Sequence, residues 1–400
     1  MFDAAFIANP YLTYERLRAT GPIHWVDGFR WGGSWLIPHH EAVLAGLRDQ
    51  RLSSQRSRTW TADLPAEVQG EFEAFNRTYP HWMLFLDRPR HTRLRALLNK
   101  SFTRRMVDSL RPLIQQTVDG LLAGVIESGR MEFIGDFAHP MPVAVIADLM
   151  GVPPEDQRTF KKWSYDFAAF FGSGRATLEQ ARSGKDGFMA ITDYFRSKVS
   201  ERQRKPGNDL ISLLLHAEVG GDRLTTEEVL AQCSLLLAGG HETTRNLLGS
   251  ALLNLLRNPE QLELLKREPS LLPGAVQEVA RYESPVQLLS RVASEDVEMH
   301  GQTVRKGQTI ILLVGSANRD PAQFTNPDTL DITRDAGDSL AFGQGPHFCL
   351  GQMLASAEVE LALWAVLTRL RDLRLAEREL VWTANPTLRG LTALQVEFSA

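Results

Sequence analysis

Cys349 lies in Ser339-Leu340-Ala341-Phe342-Gly343-Gln344-Gly345-Pro346-His347-Phe348-Cys349-Leu350-Gly351. A lone cysteine is usually a small core hydrophobe, but these surroundings are unusual. Gly345 and Gly351 permit backbone conformations that bring the main chain close to a ligand. Backbone N–H groups of such a turn can donate to a thiolate sulfur. A helix starting after Cys349 adds its positive end at the same place. The pattern suits a thiolate metal ligand better than a packed thiol. A dinucleotide-binding reading of Gly343-Gln344-Gly345 fails, because the sixth position of that fingerprint is Phe348 and the βαβ context is missing. The second cysteine, Cys233, sits in an apolar helical stretch and reads as core filler. Two cysteines exclude a disulfide scaffold, a four-cysteine zinc site and a self-held iron–sulfur cluster.

A second chemical segment is Gly239-Gly240-His241-Glu242-Thr243-Thr244, an acid and an alcohol beside two glycines. It falls inside a long helical pattern that opens on a capping box, Thr225 with Glu228. Apolar residues continue past Leu255, which predicts about 30 residues, or roughly 45 Å. Two glycines in a helix interior cost about 1 kcal/mol each relative to alanine. Either another helix packs tightly against them, or a flat object lies on that face beside the acid and hydroxyl. His91 and Arg95 lie four apart on one helix face, and Glu278 and Arg281 lie three apart. Taken alone, both pairs read as solvated charge.

The elements that must position these residues are mostly helical. Residues 11–20 read as a helix, and Ile23–Trp25 and Ser34–Ile37 as strands around Gly28, Gly32 and Gly33. Helical periodicity dominates from about His91 to Leu272. A strand-rich insert follows at roughly 290–314, with Asp296–Met299 and Thr303–Arg305 flanking His300-Gly301-Gln302. A helix over Ala355–Arg371 and short strands near Leu391–Phe398 close the chain. The fold class expected is mostly α with small β-sheets at the two ends and in the late third. The alternating rhythm of a doubly wound nucleotide binder is missing. Length alone, 400 residues, suggests two or three domains, yet no linker or repeat divides the chain. A formal net charge of −4 argues against a nucleic-acid binder. No signal peptide or membrane-spanning run is recognisable, so a cytoplasmic protein without membrane attachment is expected.

Phe342-x-x-Gly345-x-x-x-Cys349-x-Gly351 resembles the haem-binding signature of the cytochrome P450 haem-thiolate monooxygenases. Residues 239–244 resemble the oxygen-activation segment of their long central helix. Glu278-Val279-Ala280-Arg281 resembles their Glu-x-x-Arg pair, with Arg334 as its partner, and His91-x-x-x-Arg95 their His-x-x-x-Arg. The resemblance extends over essentially the whole chain. It implies the cytochrome P450 fold, a single haem domain over 1–400 and haem b with Cys349 as the axial thiolate. By the same resemblance, His91, Arg95, Arg291 and His347 meet the propionates, and Gly239, Phe342, Gly345 and Gly351 also contact the cofactor. Thr243 and Glu242 would handle the protons of O2 activation.

The implied reaction inserts one oxygen atom of O2 into a C–H or C=C bond of an apolar polyketide, terpenoid, steroid or fatty-acid-like molecule. With no flavin or iron–sulfur signature, electrons must come from NAD(P)H through a separate ferredoxin reductase and ferredoxin. Arg93, Lys100, Arg104 and Arg105 are candidates for docking that partner to a monomeric enzyme. The resemblance places the substrate near Trp82–Phe85, Phe167, Phe170, Phe171, Val286–Leu289 and Leu388–Leu391; Arg389 either meets a carboxylate or hydroxyl there or simply faces solvent. Arg88-Pro89-Arg90 departs from the Pro-Pro-acid of many relatives, and the sequence assigns it no role. The rival readings are a peroxide-driven haem-thiolate peroxygenase, for which the Glu242/Thr243 pair is unneeded, and a non-catalytic haem sensor.

Overall fold

The computed structural model describes residues 3–27, 33–56, 65–172, 177–376 and 379–399. Gly28, Gly32 and the side chain of Phe171 lie outside them. The central helix runs from Thr226 to Arg257, 32 residues, and passes through Gly239-Gly240 without a break. Its capping box forms as expected: Thr225 Oγ1 accepts from the Glu228 N–H, and the Glu228 carboxylate accepts from the Thr225 N–H. Tertiary packing therefore overrides the cost of two interior glycines. Cys233 lies on this helix and is fully buried, as a core residue should be.

Around the central helix pack Pro140–Leu149, Pro154–Gly172, Leu178–Arg204 and Gln352–Arg369. Gly184 lets Leu178–Arg204 close on its neighbour, since a Cβ there would stand 2.2 Å from that of Phe170. The first residue of Gln352–Arg369 lies three after Cys349, so its positive end faces the cysteine loop.

The strands join differently from the expected separate small sheets. One five-stranded sheet has the order His24–Asp27, Gly33–Ile37, Thr309–Leu312, Leu289–Ala293, Leu52–Ser53. Its N-terminal and late-third strands meet in parallel, with Trp35 opposite Ile310 and Ile37 opposite Leu312. All four residues of Thr309–Leu312 are buried, which explains their lack of alternation. The predicted hairpin pairs Val297–Met299 with Gln302–Val304. Its two central residues, His300 (φ 51°) and Gly301 (φ 76°), adopt the left-handed backbone that a two-residue hairpin loop needs. Near the C-terminus, Gln395–Ser399 pairs with both Arg371–Leu375 and Arg130–Glu132. Among the described residues no helix is long and apolar enough to cross a membrane.

Candidate active site

A cavity of about 290 Å³ lies between the central helix and the cysteine loop. Gly239, Gly240 and Thr243 line one wall; Phe342, Cys349 and Gly351 line the other. The two glycines divide the alternatives left open by sequence. A Cβ on Gly239 would meet nothing within 4 Å, whereas one on Gly240 would stand 2.7 Å from Ile146 Cδ1. Gly240 thus serves helix packing, and Gly239 leaves room over the cavity.

The cysteine loop is held by the Cys349 N–H donating to Phe342 O at 2.9 Å. Burial pushes the Cys349 thiol above its ordinary value, while the Gly351 N–H and the Arg95 charge oppose that shift. Both opposing groups favour the thiolate. Arg95 lines the cavity and donates from Nη1 to Phe348 O at 2.6 Å. Gly345 requires correction. It adopts φ 71°, but its Cβ position faces Leu47 O at 3.0 Å, so its close approach is to the helix His40–Arg48 and not to the cavity. Gly351 does open on the cavity, with nothing within 4 Å of its Cβ position.

A smaller chamber of about 140 Å³ adjoins, lined by Asp87, His91, Arg291 and His347 among others. The His91 and His347 rings lie 4.1 Å apart, and Ser54 Oγ is 3.1 Å from His347 Nε2. Burial holds Arg291 down to about 10 and His347 down to about 2, with neighbouring cationic groups adding to the latter. His91 Nε2 is buried without a hydrogen-bond partner. Such a concentration of donors calls for an anion.

On the central helix, burial raises the Glu242 carboxyl while Arg245 opposes the rise. Thr243 Oγ1 donates to Gly239 O at 2.6 Å, leaving its oxygen lone pairs available on the cavity side. Beneath the cysteine side, Glu278 binds Arg281 through two hydrogen bonds (2.7 and 2.8 Å) and Arg334 through one (3.1 Å). Arg281 also donates to Asn318 O and Pro327 O, tying distant loops together. This is a buried network, with Glu278 and Arg281 both fully enclosed.

Several expected substrate contacts fall elsewhere. Met83, Leu84, Val286 and Leu289 reach the cavity, but Trp82, Phe85, Phe167 and Phe170 pack into an aromatic core away from its wall. Leu388–Leu391 stands behind the wall, with Leu388 bridged to Val286. Arg389 is buried in an ion pair with Glu283 and lies 3.6 Å over Trp382, which commits its charge to the fold. Arg93 is likewise taken, by Asp222 and Glu228. Lys100, Arg104 and Arg105 are exposed.

Sequence reasoning passed over Gln232, which lines the cavity, and Glu358, whose fully buried carboxyl also lines it. Glu358 sits between alanine and valine on an otherwise apolar helical face, the one signal that pointed to it. The residues fit a flat dicarboxylate cofactor. The open Gly239 and Gly351 positions leave space for a ring, Cys349 offers sulfur, and the orphaned His91 Nε2 stands among donors suited to carboxylates.

The sequence model of the cytochrome P450 family matches residues 156–380. The chain is similar to the biotin biosynthesis cytochrome P450 of Bacillus subtilis (strain 168), 40% identical over 404 residues and covering 99% of this chain and 98% of that protein. It is also similar to the cytochrome P450 monooxygenase PikC of Streptomyces venezuelae, 38% identical over 399 residues, with 98% and 92% covered. Among solved structures it resembles P450BioI in complex with hexadec-9Z-enoic acid ligated acyl carrier protein. That match has a TM-score of 0.90 at 38% identity, covering 99% of this chain and 100% of the other.

Proposed function

The chain belongs to the cytochrome P450 family, and on that premise we propose the residues that carry its haem-thiolate monooxygenase chemistry and the substrate class it takes. Haem b bound with a cysteine thiolate supplies the activation of O2 and the transfer of one oxygen atom to substrate. Cys349 is the thiolate; the cavity wall it shares with Gly351 and Phe342 supports that reading. His91, Arg95, Arg291 and His347 hold the two carboxylates, and the unpartnered His91 Nε2 is the observation that carries the assignment. Gly239 leaves the space above the ring.

Glu242 is the acid of the proton path. Burial lets its carboxyl retain a proton to higher pH than an exposed glutamate would, so it can donate through water and be refilled from solvent. Thr243 Oγ1, its own proton anchored on Gly239 O, accepts a hydrogen bond at the cavity wall and so orients the water that carries that proton. The presence of this pair favours O2 over a peroxide-only reaction or a sensor. The aliphatic wall formed by Leu84, Leu235, Val286 and Leu289 suits an apolar substrate, and a fatty-acyl-like or polyketide-like molecule is the class taken.

Electrons arrive from a separate ferredoxin and its reductase, with Lys100, Arg104 and Arg105 as the docking cations. Residues 1–400 act as one haem domain and as a cytoplasmic monomer. Near-complete coverage in both directions against the Bacillus subtilis relative supports the single domain. The deciding measurement is the carbon monoxide difference spectrum of the reduced protein. A thiolate-type band that is lost in Cys349→His upholds the ligand; its survival in that variant would falsify it.

A further inference from the structure

The segment that brings Met83 and Leu84 to the cavity as its roof consists of two single turns, Tyr79–His81 and Met83–Phe85, separated by Trp82, which lies behind the roof in an extended conformation (φ −61°, ψ 130°). At such a junction the backbone groups on either side need partners from elsewhere. One side chain of the central helix meets both. Gln232 Oε1 accepts from the Met83 N–H at 3.1 Å, and Gln232 Nε2 donates to His81 O at 2.9 Å. Two residues further along, Ser234 Oγ accepts from the Trp82 indole N–H at 3.1 Å. Gln232 and Trp82 have no exposed surface, and Ser234 is buried as well.

The Trp82 ring is fixed from its other side too. It stacks on Phe85 at an interplanar angle of 9° and meets the edge of Phe167 with centroids 5.8 Å apart. The central helix therefore holds the roof at Gln232 and Ser234 and supplies the cavity wall directly afterwards, at Leu235, Leu236 and Gly239. The height of the roof above that wall is set within one helix.

We propose that Gln232, with Ser234, is a specificity-determining clasp that holds the roof of Met83 and Leu84 closed and restricts the site to a slender aliphatic segment of substrate. This inference rests on the monooxygenase reading above and names its substrate class. Each end of the Gln232 amide makes one hydrogen bond to the roof, which fixes the side chain's orientation at the cavity wall. What the roof presents to the cavity is Met83 and Leu84, an adaptable thioether and a branched alkyl group. A chain can thread past these side chains with the clasp intact. A ligand broad enough to push Met83 and Leu84 aside, as a macrocycle is expected to be, breaks these buried hydrogen bonds and leaves the Met83 N–H and His81 C=O without partners.

The test uses the haem-loaded enzyme and two neutral probes, methyl myristate and a fourteen-membered macrolactone. Gln232→Leu keeps the approximate volume and removes both hydrogen bonds. Trp82→Phe, which keeps a ring and loses the bond to Ser234, is the second variant should the first fold poorly. Amide hydrogen exchange at Met83 should accelerate about tenfold in Gln232→Leu. Spectral titration should show the wild type binding the ester at least about tenfold more tightly than the macrolactone, with the variant closing most of that gap. Unchanged Met83 exchange overturns the clasp. Faster exchange with an unchanged ratio of affinities overturns its role in specificity, as does a wild type that prefers the macrolactone. A missing thiolate carbon monoxide band with Met83 still protected by Gln232 overturns the monooxygenase reading and upholds the clasp.

Discussion

Cys349 combines a buried thiol raised by desolvation with an N–H and an arginine charge that favour its thiolate. A metal that binds there must displace the proton, so ligation and deprotonation are coupled. Glu358 is the contrasting case. Its carboxyl is pushed well above 4.5 by burial alone, and Oε2 has no partner. Between the unfolded value and the raised folded value the native state binds more protons than the unfolded state. Stability therefore falls as pH rises through that window, and the penalty is absent below it. Glu358→Gln should raise the melting temperature at pH 8 and do little at pH 4; equal shifts at both would show that burial is not the cause. The glycine pair gives a second residue-scale prediction. Gly239→Val points into open space, so the apoprotein should fold while haem content, read as Soret absorbance per chain, drops severalfold. Full occupancy would remove Gly239 from the cofactor's footprint.

At the scale of elements, the central helix depends on its start as well as on its packing. Thr225→Ala removes a cap worth about 1 kcal/mol and should lower stability by that amount in denaturant titration, without altering the haem spectrum. The helix Leu272–Tyr282 carries the other critical contact, the Glu278 carboxylate between Arg281 and Arg334. Glu278→Ala leaves a fully buried guanidinium uncompensated, at a cost of about 3–5 kcal/mol. Haem content and melting temperature should fall together; normal haem content would mean that the network does not support the cysteine side. Both pairs were visible in the sequence because their partners lie three residues apart, but spacing alone read Glu278 and Arg281 as solvated, and their burial followed only from the family resemblance. Arg334, in a distant loop, was found only through the family resemblance.

Across the whole molecule, the N-terminal segment is tied to the rest of the fold by side chains from three regions. Arg389 pairs with Glu283 and donates to Ile7 O, while Tyr11 donates to Glu283 at 2.8 Å. Glu283→Ala should cost about 3–5 kcal/mol, and the double change Glu283→Ala/Arg389→Leu should recover part of it, because the second substitution removes the stranded charge. Melting curves decide this; no recovery would mean that the tie acts through packing. The sequence leaves Arg389 between a substrate group and solvent, because its position near the closing turn says nothing about a glutamate over a hundred residues earlier. Phe167 and Phe170 were misplaced for a similar reason: an apolar side chain has the same signature in a core as in a pocket.

What the sequence determined by itself was local. The capping box that starts the long helix, the hairpin at His300-Gly301 and the cysteine loop are each specified by residues a few positions apart, where backbone geometry fixes who can meet. What the tertiary structure decided was every choice between neighbours brought in from far away. It sent Gly240 to Ile146 and left Gly239 open, and it gave Gly345 to the helix His40–Arg48. It joined Gly33–Ile37 to Thr309–Leu312 and bound Gln232 to the roof. Such pairings depend on the summed burial of the whole chain, which no short window of sequence contains.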